Sequence, residues 1–406
     1  MSSGPPGNAA TAAGGAWRPG EIPIRVGLIG LGNVGLGHHI PALLAIPELV
    51  RVVAVADPSE DRRRLAIAAL GLAVTAAHET ADQLLARDDV DIVDLATPPN
   101  IRTPLALRAI GTGRAILCEK PIATTPADGL AIAAAAAAAG VPAAIIHNYL
   151  ELPEVIALRS VIDEGAIGRP EVAILNALGV EDRPGTSAWR PGWRHDVATA
   201  GGGVLMDMLH AVYVAEALVG GPFRRVSAEV LVRKAGAPVE DIALCRFETE
   251  DALALVNVGW GVGPGGISVM GPDGRVEVSY VGGGTGPFAA LESVRLTRRG
   301  GAVEDRTPSL PPSDGSIDVR FTETFRTLFE RLVAGRPPVA SVADGVRALE
   351  AILGAYESAA TGRTVGLPLE PDDPVHRHGI TGLAQLDLAT GGTIARRGVF
   401  GAGAAH

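Results

Sequence analysis

Residues 24 to 44 constrain the fold most. Ile24 to Ile29 is an unbroken apolar run, the mark of a buried strand, and it leads straight into Gly30-Leu31-Gly32-Asn33-Val34-Gly35 and then a helical pattern through Leu44. A strand that turns into a helix through this spacing of glycines brings unpaired backbone N–H groups to one point, where they attract phosphate. Gly30 permits the tight turn, Gly32 lets the backbone approach a pyrophosphate, and Gly35 lets the helix pack closely on the strand. In a chain with 52 glycines the spacing alone is weak, and its place inside a strand–helix–strand unit gives it weight. The next strand, Val50 to Ala56, ends at Asp57, near the position from which a carboxylate hydrogen-bonds the ribose of a dinucleotide. A negative charge there repels a 2′-phosphate, so NAD is expected, while Arg62 and its neighbours keep NADP open. The other reading of Asp57 is a turn residue that caps the helix after Pro58.

Strand and helix go on alternating: a helix at about 59–70, a strand at Ile92–Ala96, a helix near 102–112, a strand at 114–118, an Ala-rich helix, and a strand near 143–147. That pattern predicts an α/β domain over 21–149, a Rossmann-type doubly wound parallel sheet with helices on both faces. The texture changes near 150. A helix fits 152–164, and alternation with Gly-rich turns dominates 170–300, interrupted by one helix from Gly203 to Leu218. Helices at 318–334 and 342–361 close a second, α+β domain (150–370) built on a mostly antiparallel sheet. Residues 1–20 read as a disordered tail, and 371–406, polar and poorly periodic, as an arm or flexible tail.

Hydrophobic residues make up 47% and charged residues 20%, which fits a folded chain. The formal net charge of -10, with only the short runs Arg62-Arg63-Arg64 and Arg298-Arg299, argues against nucleic acid. The Ala-rich stretch around 130–146 is interrupted by Gly140 and Pro142, so no membrane span is expected, and the N-terminus does not read as a signal peptide. Cys118 and Cys245 sit in apolar runs and read as buried thiols in a reducing cytoplasm, with no metal site expected.

Chemistry enters at Cys118-Glu119-Lys120-Pro121, which ends a strand at the carboxyl edge of the parallel sheet, where ligands bind in such folds. A lysine there can polarise a carbonyl or hydroxyl; the plain alternative is an exposed Lys before a turn. Downstream, Gly201-Gly202-Gly203 opens a helix with Asp207 and His210 three residues apart, on one face. A carboxylate and an imidazole converging on one site suit proton transfer to or from an alcohol; a capping Asp and a satisfied core His are the alternatives. The loop Trp189 to Asp196 precedes this helix. Its Trp193 and Arg194 either line a polyol pocket or serve as packing anchors. The adjacent His38 and His39 read as helix-face residues.

Taken together, GLIGLGNVG (27–35), VVAVADPSEDR (52–62), DIVDLATPPN (91–100), ILCEKPIA (116–123), HNYLELPE (147–154) and WRHDVATAGGGVLMDMLH (193–210) resemble the glucose–fructose oxidoreductase / inositol dehydrogenase family, Gfo/Idh/MocA, over about 22 to 370. The resemblance implies hydride transfer between a nicotinamide cofactor and a secondary alcohol of a sugar, cyclitol or related polyol. It also implies a homo-oligomer, dimer or tetramer, assembled through the open sheet. Carried over, Lys120 is the active-site lysine, Asp207 and His210 are the paired Asp and His, and His210 is the general acid/base. Leu31, Asn33, Val34, Thr97, Pro98, Asn100 and Glu119 fall on the cofactor side, and Asn148, Trp193 and Arg194 on the substrate side. Three departures fall mainly on the substrate side. The Asp–His spacing is three where the family has four, Arg102 stands where a His is common, and Glu151 stands where an Arg or aromatic is common. In the leading reading His210 takes the hydroxyl proton, Lys120 stabilises the developing oxyanion, and Asp207 orients a neighbouring hydroxyl. Two others stay open: a glycoside hydrolase or lyase that retains NAD and oxidises its substrate transiently, and a nucleotide-binding protein without turnover.

Overall fold

The computed structural model describes residues 22–180, 195–233, 237–261, 263–283, 289–309 and 318–386. The first domain runs β1 (Ile24–Ile29), a π-helical turn Gly35–His39 continuing into α1 (Ile40–Leu44), β2 (Val50–Ala56), α2 (Glu60–Leu70), β3 (Ala77–His78), α3 (Ala81–Leu85), β4 (Ile92–Leu95), α4 (Pro99–Gly111), β5 (Ala115–Cys118), α5 (Pro126–Ala139) and β6 (Ala143–Ile145). All six strands are parallel, in the order β3-β2-β1-β4-β5-β6. Their continuous apolar runs follow from burial on both faces, with Val26, Leu28, Val93 and Leu95 without solvent exposure. The strand order reverses between β1 and β4, so the crevice for a ligand opens beyond their carboxyl ends. Helix α4 starts at Pro99, three residues before its expected start, because proline is at home in a first helical turn, where its missing N–H is not needed.

The second domain contains α6 (Pro153–Asp163), β7 (Val172–Val180), α7 (Val197–Ala200), α8 (Val204–Asp207), α9 (Leu209–Val219), β8 (Arg225–Leu231), β9 (Ile242–Glu248), β10 (Leu253–Trp260), β11 (Gly266–Gly271), β12 (Gly274–Tyr280), β13 (Leu291–Arg298), β14 (Val303–Asp305), α10 (Asp318–Val333), α11 (Val342–Thr361), β15 (Val365–Gly366) and α12 (Pro374–His378). Among the described residues nine strands form its sheet, β14-β13-β12-β11-β7-β10-β9-β8-β15, antiparallel except where β7 meets β10. Alternate residues such as Ala243, Cys245 and Phe247 face the helices and are buried, while Leu244 and Arg246 on the opposite face are exposed.

Three features depart from expectation. Helix α10 packs on the first domain: Phe321, Phe325, Phe329 and Leu332 share a core with Ile24, Val26 and Leu28 of β1. Their four-residue spacing marks an apolar helix face but not which sheet that face covers. The helix expected from Gly203 to Leu218 is broken at Met208 (φ -92°, ψ 28°), and the axis bends by 48° there. The segment after 370 is folded as far as 386. Asp373 caps α12, a 3-10 stretch Gly379–Gln385 follows, and Val375, Ile380 and Leu383 are buried in the main core. The rest of the expected arm, and the tail at 1–20, lie outside the described residues.

Candidate active site

The carboxyl ends of β1, β2, β4 and β5 open onto a cleft of about 580 Å³ that extends to the start of α8, within the roughly 300–1,000 Å³ usual for small-molecule sites. Its floor is the glycine turn. Gly30 sits at φ +97°, and a Cβ there would stand 2.6 Å from the Ala96 carbonyl oxygen. A Cβ on Gly35 would collide with the Gly30 carbonyl oxygen. These two glycines are therefore demanded by the turn and by helix–strand packing. Gly32 lines the cleft, and a Cβ on it would meet nothing within 4 Å.

Asp57 braces that turn. Its Oδ2 accepts the Leu31 N–H and its Oδ1 the Ser59 N–H, both at 2.8 Å. The carboxylate thus serves the start of α2 and also lines the cleft, beside Glu79 and Asp82. Arg63 is held nearby, donating to the carbonyls of Asp57 (2.7 Å) and Pro58 (3.0 Å).

At the opposite end Lys120 Nζ donates to the Asp207 carbonyl oxygen at 2.7 Å and lies 4.0 Å from Asp207 Oδ1. Trp260 Nε1 donates to Asp207 Oδ2 at 3.4 Å. Behind Lys120 runs a buried chain of charge. Glu119 Oε2 accepts the Lys120 backbone N–H (3.0 Å), Glu119 Oε1 meets His39 Nε2 (3.1 Å), and His39 Nδ1 meets Asp94 Oδ2 (2.8 Å). Burial opposes the charge on His39, but the Asp94 charge and the hydrogen bonds to both carboxylates outweigh it and push the pKa up to about 9. His39 is therefore an imidazolium at neutral pH. Burial likewise opposes ionisation of Glu119, and the bond from His39 overcomes it and lowers the carboxyl's pKa. Arg102, fully buried, donates to the carbonyls of Pro121 and Thr97 and so ties two walls of the cleft together from behind.

Of the residues expected at the site, Gly30, Gly32, Asn33, Val34, Asp57, Thr97, Pro98, Glu119, Lys120 and Asp207 line this cleft. Leu31 contributes its N–H to Asp57, but its side chain lies in the core. Asn100 is exposed in the first turn of α4, and Asn148 is buried in a 3-10 turn; neither is on the wall. Trp193 and Arg194 lie outside the described residues. Asp207 lines the cleft, and His210 is not on its wall. The break at Met208 turns His210 into the interior, where Nδ1 meets Tyr213 Oη at 2.6 Å and the ring stacks on Tyr149 at 3.8 Å. A three-residue spacing keeps one face only on a continuous helix.

This architecture has relatives. Residues 24–147 match the family profile described as oxidoreductase family, NAD-binding Rossmann fold, and residues 155–279 match the GFO/IDH/MocA C-terminal domain. The chain belongs to the Gfo/Idh/MocA family. It is 29% identical over 287 residues to the levoglucosan dehydrogenase of Pseudarthrobacter phenanthrenivorans, covering 66% of this chain and 68% of that one. It is 27% identical over 364 residues to inositol 2-dehydrogenase 2 of Saccharopolyspora erythraea, covering 87% and 98%. The aldose-aldose oxidoreductase of Caulobacter crescentus, solved with glycerol, superposes with a TM-score of 0.72 at 27% identity, covering 85% of this chain and 99% of that one.

The first domain is thus this family's NAD-binding Rossmann fold, and its residues fit NAD. The open backbone at Gly32, the carboxylate of Asp57 and the buried Thr97 hydroxyl, which has no partner among the described residues, all line the cleft. Four contributors were not foreseen: His39, Asp94, Trp260 and Arg102 in its tying role. His39 read as a helix-face residue because its partners lie 55 and 80 residues along the chain.

Proposed function

We propose that this Gfo/Idh/MocA oxidoreductase moves hydride between NAD and a secondary alcohol or ketone carbon of a sugar, cyclitol or related polyol. The observation that carries this is the meeting of Lys120 Nζ with Asp207 at one end of the dinucleotide cleft, 2.7 Å from its carbonyl oxygen. Bound NAD would supply the hydride acceptor, or as NADH the donor. The N–H groups of the turn between Gly32 and Gly35 would hold its diphosphate, and Asp57 its ribose. Lys120 presents an ammonium to the substrate oxygen and stabilises the charge that develops there. Asp207, with Trp260 Nε1–H on its carboxylate, orients a neighbouring hydroxyl. His210 is engaged behind the wall with Tyr213 and Tyr149, so proton handling falls to Lys120, which gives its proton to the oxygen in ketone reduction and, as the neutral amine, takes the hydroxyl proton in alcohol oxidation. Three carboxylates at the ribose end, Asp57, Glu79 and Asp82, favour NAD over NADP. The uncovered sheet face, with Leu244 43% and Leu253 39% exposed, suits a second copy of the chain in a homo-oligomer.

The test is absorbance of the reduced cofactor with NAD or NADP and a panel that includes levoglucosan, inositol, D-xylose and D-apiose, the substrates named for relatives. Turnover with NAD preferred is expected, with kcat reduced about 100-fold or more in Lys120→Ala. Consumption of a glycoside without net reduction would replace this reading with the internal-redox hydrolase or lyase. No turnover at all across a panel of sugars, cyclitols and glycosides would overturn it.

A further inference from the structure

Glu240 has no solvent exposure and stands in the turn before β9. Its carboxylate accepts the Gly203 N–H (3.1 Å) on Oε2, and the Leu205 N–H (2.9 Å) and Tyr356 O–H (2.7 Å) on Oε1. Its carbonyl accepts the Val204 N–H at 3.1 Å. Three successive N–H groups at the start of α8 therefore end on one residue. A buried carboxylate is a costly way to cap four residues of helix, since these donors are neutral. The triple glycine makes room for it. A Cβ on Gly203 would stand 2.5 Å from Glu240 Oε2, and one on Gly202 would stand 2.9 Å from the Tyr356 ring. The far end of the same short helix is Asp207, whose carbonyl oxygen holds Lys120 Nζ.

We propose that Glu240 is a positioning residue for Lys120: from behind the triple-glycine turn it sets the seat of α8, and through the Asp207 carbonyl it sets the seat of the ammonium. This rests on the reading of Lys120 as the group that meets the substrate oxygen. It also ties the site to pH. Burial pushes the Glu240 carboxyl up to about 7, although the bonds from Leu205, Tyr356 and Gly203 pull the other way. Among the described residues, the other titratable groups packed around it are Tyr356 of α11 and Cys245 of β9, both raised by burial and neutral near pH 7. Asp241, next in sequence, pairs with Arg233, and Asp207 lies at the opposite end of α8. A proton on Glu240 puts an O–H where only donors point, so at least one hydrogen bond must reorganise.

The composition offers a direct probe. The chain has two lysines, Lys120 and Lys234, against 33 arginines. Protein grown with lysine carrying carbon-13 at Cε gives two signals, and Lys234→Arg assigns them. In the wild type the Lys120 signal is expected to show an inflection at about pH 7, where Glu240 titrates, separate from its own titration. In Glu240→Gln that inflection disappears while NADH affinity stays within about twofold. Should Glu240→Gln fail to fold, Tyr356→Phe decides. Losing the phenol donor moves the inflection to higher pH, because that bond lowers the Glu240 pKa. A Lys120 signal with no inflection near pH 7 in the wild type, one that persists in Glu240→Gln, or one that Tyr356→Phe leaves in place overturns the proposal. No substrate is needed, so the two readings fail separately: an inflection without turnover sinks only the proposed activity, and turnover without an inflection sinks only the role of Glu240.

Discussion

Lys120 is braced from its own domain by charge and from the second domain by neutral donors. On the first side Glu119, His39 and Asp94 form a continuous buried chain with Arg102 close by, two charges of each sign. On the second side the single carboxylate of Glu240 meets backbone N–H groups and a phenol. The contrast shows how the same residue class can be used to opposite ends. Opposed charges hold each other ionised, so His39 stays protonated up to about pH 9. A carboxylate held only by neutral donors loses to desolvation and titrates at about pH 7. The first brace keeps its charges across the neutral range, and the second changes its charge within it.

The largest effect should come from breaking the charged brace. His39→Leu leaves Asp94 and Glu119 facing an apolar side chain, and removing one partner from a buried ionic network costs about 3–5 kcal/mol. Urea unfolding at neutral pH measures it. A loss below about 1 kcal/mol would mean that the chain is not a brace, and the contrast would collapse.

The next effect is the pH dependence of that loss. His39 has its folded pKa raised above the unfolded 6.5, to about 9. Its contribution is therefore fully present below about pH 6.5 and is lost as pH rises through about 9, a swing of up to about 3 kcal/mol. The difference in unfolding free energy between wild type and His39→Leu should shrink across that window. A difference that stays flat would show that the ring matters by packing under Phe321 and Phe325 and not by charge.

The charged brace is also where sequence and structure part, although the fold around it was plain. β1 and β2 match their expected spans, the fingerprint and Asp57 report on neighbours within one strand–helix–strand unit, and the Glu-Lys-Pro segment is placed by the strand it ends. Local spacing carries such signals. His39 and Glu240 act on partners 35 to 116 residues away, and no local pattern encodes those distances. The break at Met208 is silent for a related reason. Neither glycine nor proline marks it. The start of α8 is held by Glu240, while α9 packs on β7 and β10, and the joint between them absorbs the difference. The described stretch after 370 lacks a helical period because Gly379–Gln385 winds as a 3-10 helix, whose repeat is three residues.

The smallest effect tests the neutral brace. Tyr356→Phe keeps the ring and removes only the donor to Glu240 Oε1. The loss should be about 2 kcal/mol where the acceptor is ionised and about 1 kcal/mol where it is protonated, because hydrogen bonds to charged groups are the stronger. Burial raises the Glu240 carboxyl from 4.5 to about 7, so the cost of the substitution should grow as pH rises from about 6 to about 8. That is the opposite sign to His39→Leu over nearly the same range. Urea unfolding of the two variants side by side decides the matter. If both penalties move the same way with pH, the two braces share one electrostatic design. If they cross, Lys120 sits between a fixed support and one that responds to protons.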